Sequence, residues 1–378
     1  MVNKKRLIKL TQELIRINSE NPPGNEVKIA SFVKKYLQGL GLQARTYAFR
    51  KGRPNLVAVL KGHHARRTLL LTPHLDTVPV GLSWSFAPFS GTISRGRIYG
   101  LGATDCKGNL AVGLEAINSL VENKIVLDYN LIFAATADEE SGSELGLIPL
   151  LDKGIIKADA AVVLDCDGFS IVVAQKGLVH LKIKIKGKKA HGAYPWRGIN
   201  AIDIAIEIIR ALKEQKLAYK KNKYLKAPTM NVGTIRGGDK VNVVADWCEC
   251  ELDFRFLPGT RANKLLKHIR GVVARHSRKY QIEIEGIQRP YEIEAKHPLV
   301  QYLSLAMRKA GARPLIEGSE GATVITFFQD KNIPAVATGF GSSGCAHIAD
   351  EYVEIDNLYR GARALEEFLK MYRFNQGA

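Results

Sequence analysis

Residues 68–76 read Thr-Leu-Leu-Leu-Thr-Pro-His-Leu-Asp, an apolar run that ends at a histidine and an aspartate. A short apolar run closed by a proline is typical of a buried strand. Three further runs share this character and alternate with helical patterns; the runs lie at 55–60, 131–136 and 160–164, and the helical patterns at 109–120 and 145–151. This alternation predicts an α/β fold with a mostly parallel sheet.

The pattern of the chain changes at about residue 177. The segment 178–185 alternates strictly between apolar and polar side chains, which predicts a strand with one solvent-exposed face. The elements that follow are a helix at 200–213, strands at 230–235 and 248–256, a helix at 262–276 and a strand at 281–287. The order strand, helix, strand, strand, helix, strand predicts a ferredoxin-like α+β domain.

The α/β style returns after Arg289-Pro290, where a short apolar strand at 334–337 precedes a final helical pattern at 358–372. A chain of 378 residues is also too long for one compact core of ordinary size. We therefore expect a catalytic metal-binding domain made of residues 1–176 and 290–378. The ferredoxin-like domain, residues 177–289, is then inserted into it.

The composition is that of a folded globular protein, with 46% hydrophobic and 24% charged residues. No apolar run is long enough to span a membrane, and no apolar core of a signal peptide follows the basic N-terminal residues. Five cysteines are an odd number in a long chain, which argues against a disulfide framework. We therefore expect a cytoplasmic protein without a membrane partner.

The chain is strongly basic, since 55 Lys and Arg against 37 Asp and Glu give a formal charge of +18. Such a charge is compatible with nucleic acid, an anionic surface or anionic small substrates. The basic residues are scattered, however, and no nucleic-acid-binding motif organises them. We interpret the charge as a solvated surface that also steers anionic substrates, and we predict no nucleic-acid partner.

Candidate metal ligands follow the predicted strands of the larger domain. They are His74 after 68–72, Asp138-Glu139-Glu140 after 131–136, Asp165 after 160–164 and His347 after 334–337. The carboxyl ends of parallel strands share one edge of a sheet, where ligands bind, so we expect these segments to converge. Taken singly, each has an ordinary explanation, because a lone histidine is usually a surface or core residue.

Asp105 extends this set, since it lies in a glycine-rich turn just before the helical pattern at 109–120. Histidines combined with carboxylates suit zinc, cobalt or manganese. The carboxylates outnumber what one tetrahedral ion needs, which predicts two divalent ions that can hold a hydroxide between them and polarise a carbonyl. Zinc is the first expectation, with cobalt and manganese as alternatives. Asp76, two residues after His74, can orient the histidine ring.

Six motifs along the chain carry a family resemblance. They are Pro73-His74-Leu75-Asp76-Thr77-Val78-Pro79, Tyr99-Gly100-Leu101-Gly102-Ala103-Thr104-Asp105-Cys106-Lys107-Gly108, Asp138-Glu139-Glu140, Ala190-His191-Gly192-Ala193-Tyr194-Pro195, Asp253-Phe254-Arg255 and Ala346-His347-Ile348-Ala349-Asp350-Glu351. With these motifs in this order, almost the whole chain resembles the di-zinc amidohydrolases that include acetylornithine deacetylase, succinyl-diaminopimelate desuccinylase, aminoacylase and glutamate carboxypeptidase.

The resemblance implies a ligand set for two ions. His74 and Asp165 would bind one ion, and Glu140 and His347 the other. Asp105 would bridge the two. Asp167, two residues after Asp165, is the competing candidate for the position of Asp165.

The resemblance also implies roles for residues that bind no metal. Asp76 would orient His74, and Glu139 would act as the general base that later protonates the leaving amine. The inserted domain corresponds to the lid of the family, which often forms the dimer. In it, His191 would stabilise the carbonyl oxygen as it becomes anionic. Arg255, with Asn242 as a second candidate, would bind the substrate carboxylate.

We therefore predict a two-metal-dependent hydrolase that cleaves the amide bond of an N-acyl amino acid with a free carboxylate. A metallo-exopeptidase acting on small peptides is the alternative with the same chemistry, and a non-catalytic binding protein on the same fold is the alternative from another class. The loop 317–323 lacks the Thr-Asp pair that many members have, so the preferred substrate stays open and Glu320 is a candidate carboxylate there. We also expect a homodimer through the inserted domain, in which the strand 178–185 could pair with a second copy.

Overall fold

The computed structural model describes residues 1–63, 66–215 and 218–374. Its helices are α1 (Lys4–Ile15), α2 (Val27–Gly39), α3 (Lys107–Glu122), α4 (Leu147–Asp152), α5 (Ala201–Glu214), α6 (Ala262–His276), α7 (Pro298–Lys309), α8 (Ile325–Gln329) and α9 (Ile355–Met371). Single turns of 3₁₀ helix lie at Glu139–Ser141 and Pro195–Arg197.

The strands belong to three sheets. In chain order they are β1 (Gln43–Ala48), β2 (Pro54–Leu60), β3 (Thr68–Thr72), β4 (Thr92–Ser94), β5 (Arg97–Tyr99), β6 (Asn130–Ala135), β7 (Ala160–Leu164), β8 (Ser170–Gln175), β9 (Gly177–Lys186), β10 (Thr229–Gly237), β11 (Trp247–Phe256), β12 (Tyr280–Gln288), β13 (Tyr291–Glu292), β14 (Leu315–Ser319), β15 (Ala335–Thr338) and β16 (Tyr352–Glu354).

Four parallel strands form the centre of the largest sheet, in the order β6, β3, β7, β15. All four are almost wholly buried, which explains their continuous apolar sequences. Antiparallel strands extend both sides of this centre, β2 and β1 on one side and β8 on the other. The predicted α/β fold with a parallel sheet is confirmed, and its antiparallel margins are an addition that the apolar runs alone did not indicate.

Helix α3 packs tightly enough to bury most of its residues, from Lys107 to Leu120. A side chain at Gly113 would lie 2.8 Å from Phe133 of β6, so this glycine allows the close approach of helix and strand. Because α3 begins at Lys107, the buried helix also fixes the position of Asp105 two residues before it.

The chain forms two compact units. Unit 1 comprises Met1–Val173, Ile293–Glu317 and Phe327–Ala378, and unit 2 comprises Ala174–Glu292 and Gly318–Thr326. Unit 1 contains the parallel strands described above. The assignment of 177–289 to a lid domain remains a prediction.

Unit 2 contains an antiparallel sheet in the order β10, β11, β9, β12, with α5 and α6 packed on its apolar face. This order and the sequence of elements are those of a ferredoxin-like fold, as predicted. The expectation that the strand 178–185 pairs with a second copy is wrong, because both edges of β9 are already paired, with β11 and β12. The edges of this sheet are β10 and β12.

The described residues include no helix that is long and apolar enough to cross a membrane.

Candidate metal centre

Three neighbouring parallel strands of unit 1 end at candidate ligands. His74 lies two residues after β3, Glu139 and Glu140 follow β6, and Asp165 directly follows β7. A parallel bridge between His74 and Thr136 continues the pairing of β3 and β6 beyond the strands themselves. The strand ends therefore bring together segments that are as much as 91 residues apart in sequence, from His74 to Asp165, as expected for a parallel sheet.

Asp105 lies between the two candidate histidines. Its Oδ1 is 2.9 Å from Nε2 of His74, and its Oδ2 is 3.1 Å from Nε2 of His347. Nε2 of His74 is also 3.3 Å from Oδ1 of Asp165, and Nε2 of His347 is 3.3 Å from Oε1 of Glu140. One carboxylate thus touches two pairs, His74 with Asp165 and His347 with Glu140.

The ring of His74 is fixed from its far side. Nδ1 donates a hydrogen bond to the backbone carbonyl of Asp76 at 2.9 Å, while the Asp76 carboxylate lies farther away, at 3.6 Å. With the proton on Nδ1, the lone pair of the neutral ring is on Nε2 and faces Asp105 and Asp165. His74 therefore presents a ligand atom to the cluster.

The Asp76 carboxylate holds the turn that carries the paired glutamates. It accepts hydrogen bonds from the backbone N–H of Glu139 and of Glu140, each at 3.1 Å. Asp138, at the start of this turn, has a left-handed backbone with φ of 66°, which aspartate adopts more readily than most residues. Asp76 thus connects the end of β3 with the turn after β6.

The two glutamates of the turn have different surroundings. The Glu140 carboxylate contacts His347, whereas in the part of the chain that the structure describes no hydrogen bond or ion pair engages the Glu139 carboxylate. Burial, and next the nearby charge of Asp165, raise the pKa of Glu139 well above its usual value. A buried carboxyl group with such a raised pKa and no partner among the described residues is a candidate for proton transfer.

Asp165 and Asp167 have different contacts. Asp165 lies beside His74, while Oδ1 of Asp167 accepts a hydrogen bond from the hydroxyl of Ser343 at 3.1 Å. Burial raises the pKa of Asp165 to about 6. The geometry thus favours Asp165 over Asp167 as the ligand that follows β7.

The donor set fits divalent metal ions. His74, Asp105 and Glu140 present ligand atoms within 4.8 Å of one another, and so do His74, Cys106 and Asp165. Two imidazoles and three carboxylates form a nitrogen and oxygen set of the kind that zinc, cobalt and manganese accept.

The histidines offset part of the negative charge of the cluster. Hydrogen bonds that His347 donates to the carboxylates of Asp105 and Glu140 raise its pKa to about 10. Burial opposes ionisation of Asp105, but hydrogen bonds from His347 and His74 hold its pKa well below the usual range. A cluster that concentrates carboxylates and turns histidine nitrogens toward them is suited to bind cations.

Two candidate residues of unit 2, His191 and Asn242, lie in neighbouring segments of the backbone. A bridge joins His191 to Val243, and the carbonyl of Asn242 accepts a hydrogen bond from Gly192. Nδ1 of His191 accepts the Ala193 N–H at 3.0 Å, so the proton of the neutral ring is on Nε2. His191 and Asn242 are both exposed, and His191 can donate from Nε2.

Arg255 and Glu320 already have partners within unit 2. The Arg255 guanidinium forms two hydrogen bonds with Asp253, at 2.8 and 3.0 Å, which leaves Nη1 and one hydrogen of Nη2 for another carboxylate. Glu320 forms an ion pair with the buried Lys176 at 2.6 Å and accepts the Lys226 N–H. Glu320 is thus held in place within its own loop.

Two residues that support the paired glutamates were absent from the sequence analysis. Asn21 donates to Oδ2 of Asp76 at 2.8 Å, and the buried Arg53 binds both Glu26 and Asp138, at 2.7 and 2.9 Å. Both residues come from loops near the N-terminus, where no apolar period marks them. A polar residue beside a proline pair, as in Asn21-Pro22-Pro23, was the only available signal.

Comparisons with known proteins agree with this architecture. A family model described as Peptidase family M20/M25/M40 matches residues 70–371. The chain is 29% identical over 377 residues to an acetylornithine deacetylase from Vibrio atlanticus (strain LGP32), covering 95% of each chain.

Solved structures extend the likeness to the whole fold. A tripeptidase from Staphylococcus aureus is 27% identical with a TM-score of 0.83, covering 98% of this chain and 99% of its own. A Bacillus subtilis protein, described as a dinuclear metal binding peptidase from the M20 family, has a TM-score of 0.75 at 17% identity, covering 97% and 98% of the two chains.

Proposed function

Because the chain belongs to peptidase family M20/M25/M40 and is a metal-dependent hydrolase, we propose that it cleaves the amide bond of an N-acyl amino acid that carries a free carboxylate. The observation that carries this proposal is the position of Asp105, in contact with both His74 and His347, beside a Glu139 carboxyl group that no described residue engages. The similarity to an acetylornithine deacetylase over 95% of the chain supports an acyl amino acid as substrate.

The proposed metal site holds two ions, with zinc as the first expectation and cobalt or manganese as alternatives. His74 and Asp165 would hold one ion, Glu140 and His347 the other, and Asp105 both. Divalent ions bound there would polarise the amide carbonyl and make a water molecule more acidic.

In the proposed reaction, the Glu139 carboxylate removes a proton from the attacking water. The water oxygen forms a bond with the carbonyl carbon, and the C–N bond then breaks. Glu139 delivers its proton to the departing nitrogen, so the products are an amine and a carboxylic acid, and the acid then ionises by losing its proton to the amine or to water. His191 would donate from Nε2 to the carbonyl oxygen while that oxygen gains negative charge.

We propose that Arg255, with Asn242 as a second contact, recognises the carboxylate of the substrate. The remaining N–H groups of Arg255, beyond those bound to Asp253, support this role. Arg255→Lys should raise KM for an N-acetyl amino acid and leave KM for the corresponding carboxamide nearly unchanged. An equal increase for both substrates would remove Arg255 from carboxylate recognition.

A metallo-exopeptidase that hydrolyses short peptides is the second candidate. It is favoured by the likeness to a tripeptidase, with 27% identity and a TM-score of 0.83. Both candidates use the same chemistry at the metal site and differ in the group that lies on the acyl side of the cleaved bond.

A substrate panel separates the two candidates. Zinc-loaded and cobalt-loaded protein should be assayed with acetylornithine, succinyl-diaminopimelate, other N-acetyl amino acids, dipeptides and tripeptides. We expect the highest kcat/KM with an N-acyl amino acid. Turnover of peptides alone would refute the deacylase proposal, and the Glu139→Gln variant, purified in parallel, controls for contaminating hydrolases.

We also propose a homodimer formed through unit 2. Ile206 on α5 and Ile235 on the edge strand β10 are 52% and 47% exposed, and an edge strand can pair with a second chain. Light scattering after size exclusion should report a dimer that Ile206→Glu weakens. Ile93→Glu is the matched control, since Ile93 is 47% exposed on β4 of unit 1. A monomeric wild-type protein would exclude this dimer.

A further inference from the structure

Glu351 is one of the most buried acidic residues of the chain, with 1% of its surface exposed. It directly precedes β16, which pairs antiparallel with β5 so that Tyr352 lies opposite Tyr99. This register places Glu351 beside Gly100, whose N–H donates to the backbone carbonyl of Glu351 at 2.8 Å. The residues after β5 form the loop that leads to Asp105, so the small sheet brings Glu351 to the base of that loop.

The Glu351 carboxylate accepts three hydrogen bonds from the backbone of this loop. Oε1 accepts the N–H of Thr104 at 2.8 Å and that of Asp105 at 2.9 Å, and Oε2 accepts the N–H of Gly102 at 2.8 Å. Burial raises the pKa of Glu351 to about 7, and the three hydrogen bonds oppose this shift because they favour the ionised carboxylate. One side chain therefore fixes the backbone of the loop at three of the four residues from 102 to 105.

Two further contacts join the same segments. The hydroxyl of Thr104 donates to the carbonyl of Tyr352 at 2.7 Å. Lys107, which is also fully buried, attracts Glu351 electrostatically and donates to the carbonyl of Ile17 at 2.7 Å. A buried carboxylate is tolerated when hydrogen bonds and an opposite charge satisfy it, and both are present here.

We infer that Glu351 is a positioning residue that holds the loop 102–105 so that the Asp105 carboxylate lies between His74 and His347. This inference rests on the proposed function, because it assigns a role within the same metal site. Glu351 touches neither of the two histidines through its side chain. It acts through the backbone of Asp105, and it is four residues from His347 in the chain. Glu351 therefore links the segment that carries Asp105 to the segment that carries His347, and these two side chains are 3.1 Å apart.

The test replaces the carboxylate by an amide of the same shape. In Glu351→Gln, the single side-chain oxygen can accept hydrogen bonds from only some of the three N–H groups. The NH₂ group of the glutamine then faces a backbone N–H, which is also a donor. We expect faster deuterium exchange of the amides of Gly102, Thr104 and Asp105 in metal-free protein. We also expect zinc affinity and kcat to fall by about 10- to 100-fold, the usual effect of losing a partner that orients a ligand, with KM little changed.

Asp350→Asn is the matched control. The Asp350 carboxylate also accepts two backbone N–H groups, those of Ser85 and Phe86 at 2.8 and 3.0 Å, but that loop carries no candidate ligand. This variant should leave deuterium exchange at 102–105 and zinc affinity as in the wild type. If both variants lost protection from exchange at 102–105 and zinc affinity to the same extent, Glu351 would contribute only to general stability, and the inference would be overturned.

Deuterium exchange and zinc affinity need no substrate, so they test Glu351 even if every compound of the substrate panel fails. The inference would be overturned if Glu351→Gln kept both the wild-type deuterium exchange at residues 102–105 and the wild-type zinc affinity. If Glu351→Gln does not fold, Glu351→Asp keeps the charge but withdraws it by one methylene, and the same two readouts apply. In the wild type itself, exchange at Gly102, Thr104 and Asp105 as fast as at Leu82, which is 91% exposed, would also overturn it.

Discussion

The two halves of the candidate metal site are built differently. The strand half, His74 and Asp165, comes from the ends of β3 and β7, and the His74 side chain is 2% exposed. The turn half, Glu140 and His347, comes from turns. The His347 side chain is 50% exposed while that of Glu140 is only 8% exposed, so the two halves differ in the burial of their histidines. Residues at strand ends are held by the rigid backbone of the sheet, whereas the positions of residues in turns depend on a few hydrogen bonds. The difference predicts one preformed half and one that adjusts when a cation binds.

The largest expected effect is on kcat and concerns Glu139, the glutamate of the turn that is proposed to bind no metal. Glu139→Gln should lower kcat by roughly 10²- to 10⁴-fold, because the amide cannot carry the proton from water to the departing amine. Bound zinc, measured by atomic emission, should stay at the wild-type amount. Loss of zinc together with activity would instead make Glu139 a ligand and break the distinction between the two neighbouring glutamates.

The two histidines test the halves directly. His74→Ala should remove most of the bound metal, because it leaves Asp105 and Asp165 buried without their shared nitrogen partner. His347→Ala should leave about one ion per chain, since the strand half retains its own ligands. Equal metal contents in the two variants would show that the halves do not differ as the burial of their histidines indicates.

Protons compete with metal at the turn half. In the metal-free protein the carboxylates of Asp105 and Glu140 raise the pKa of His347 from 6.5 to about 10. Stability from this charged histidine is therefore complete below pH 6.5 and is lost as the pH rises toward 10. Zinc must displace the same proton, so its affinity should rise by up to about tenfold per pH unit in this window.

Calorimetry in buffers of different ionisation enthalpy measures this proton release. The release at pH 8 should fall by about one proton per chain in His347→Ala, because the variant lacks the group that loses it. An unchanged release in the variant would show that His347 binds metal without giving up a proton, and the turn half would then be preformed as well.

The strand half could be predicted from sequence because its signals are local. An apolar run such as Leu69 to Leu71 predicts a buried strand, and the residue after the strand must lie at the edge of the sheet. The same reasoning places Asp165. Neither prediction needed an alignment or a motif.

The same strand-end argument placed the turn half less exactly. His347 lies nine residues after β15, and both it and Asp138 have left-handed backbones, with φ of 60° and 66°. Such positions have no apolar period, so the strand at 334–337 indicated His347 only approximately, and the family resemblance alone implied that it shares an ion with Glu140. Arg53 and Asn21 were missed for a related reason, since contacts between residues far apart in the chain leave no local pattern.

The smallest expected effect tests the boundary of the strand half. Asp167→Asn should keep the bound metal and change kcat/KM by no more than about twofold, because substitutions outside the functional contacts usually change free energy by about 0.5 kcal/mol or less. Its carboxylate contacts Ser343, and an amide oxygen can accept the same hydrogen bond. Asp165→Asn is the matched variant and should lose metal, since it replaces the carboxylate 3.3 Å from His74. If Asp167→Asn lost metal and Asp165→Asn did not, the ligand after β7 would be Asp167, and the chain beyond that strand would have to turn toward His74 when a cation binds.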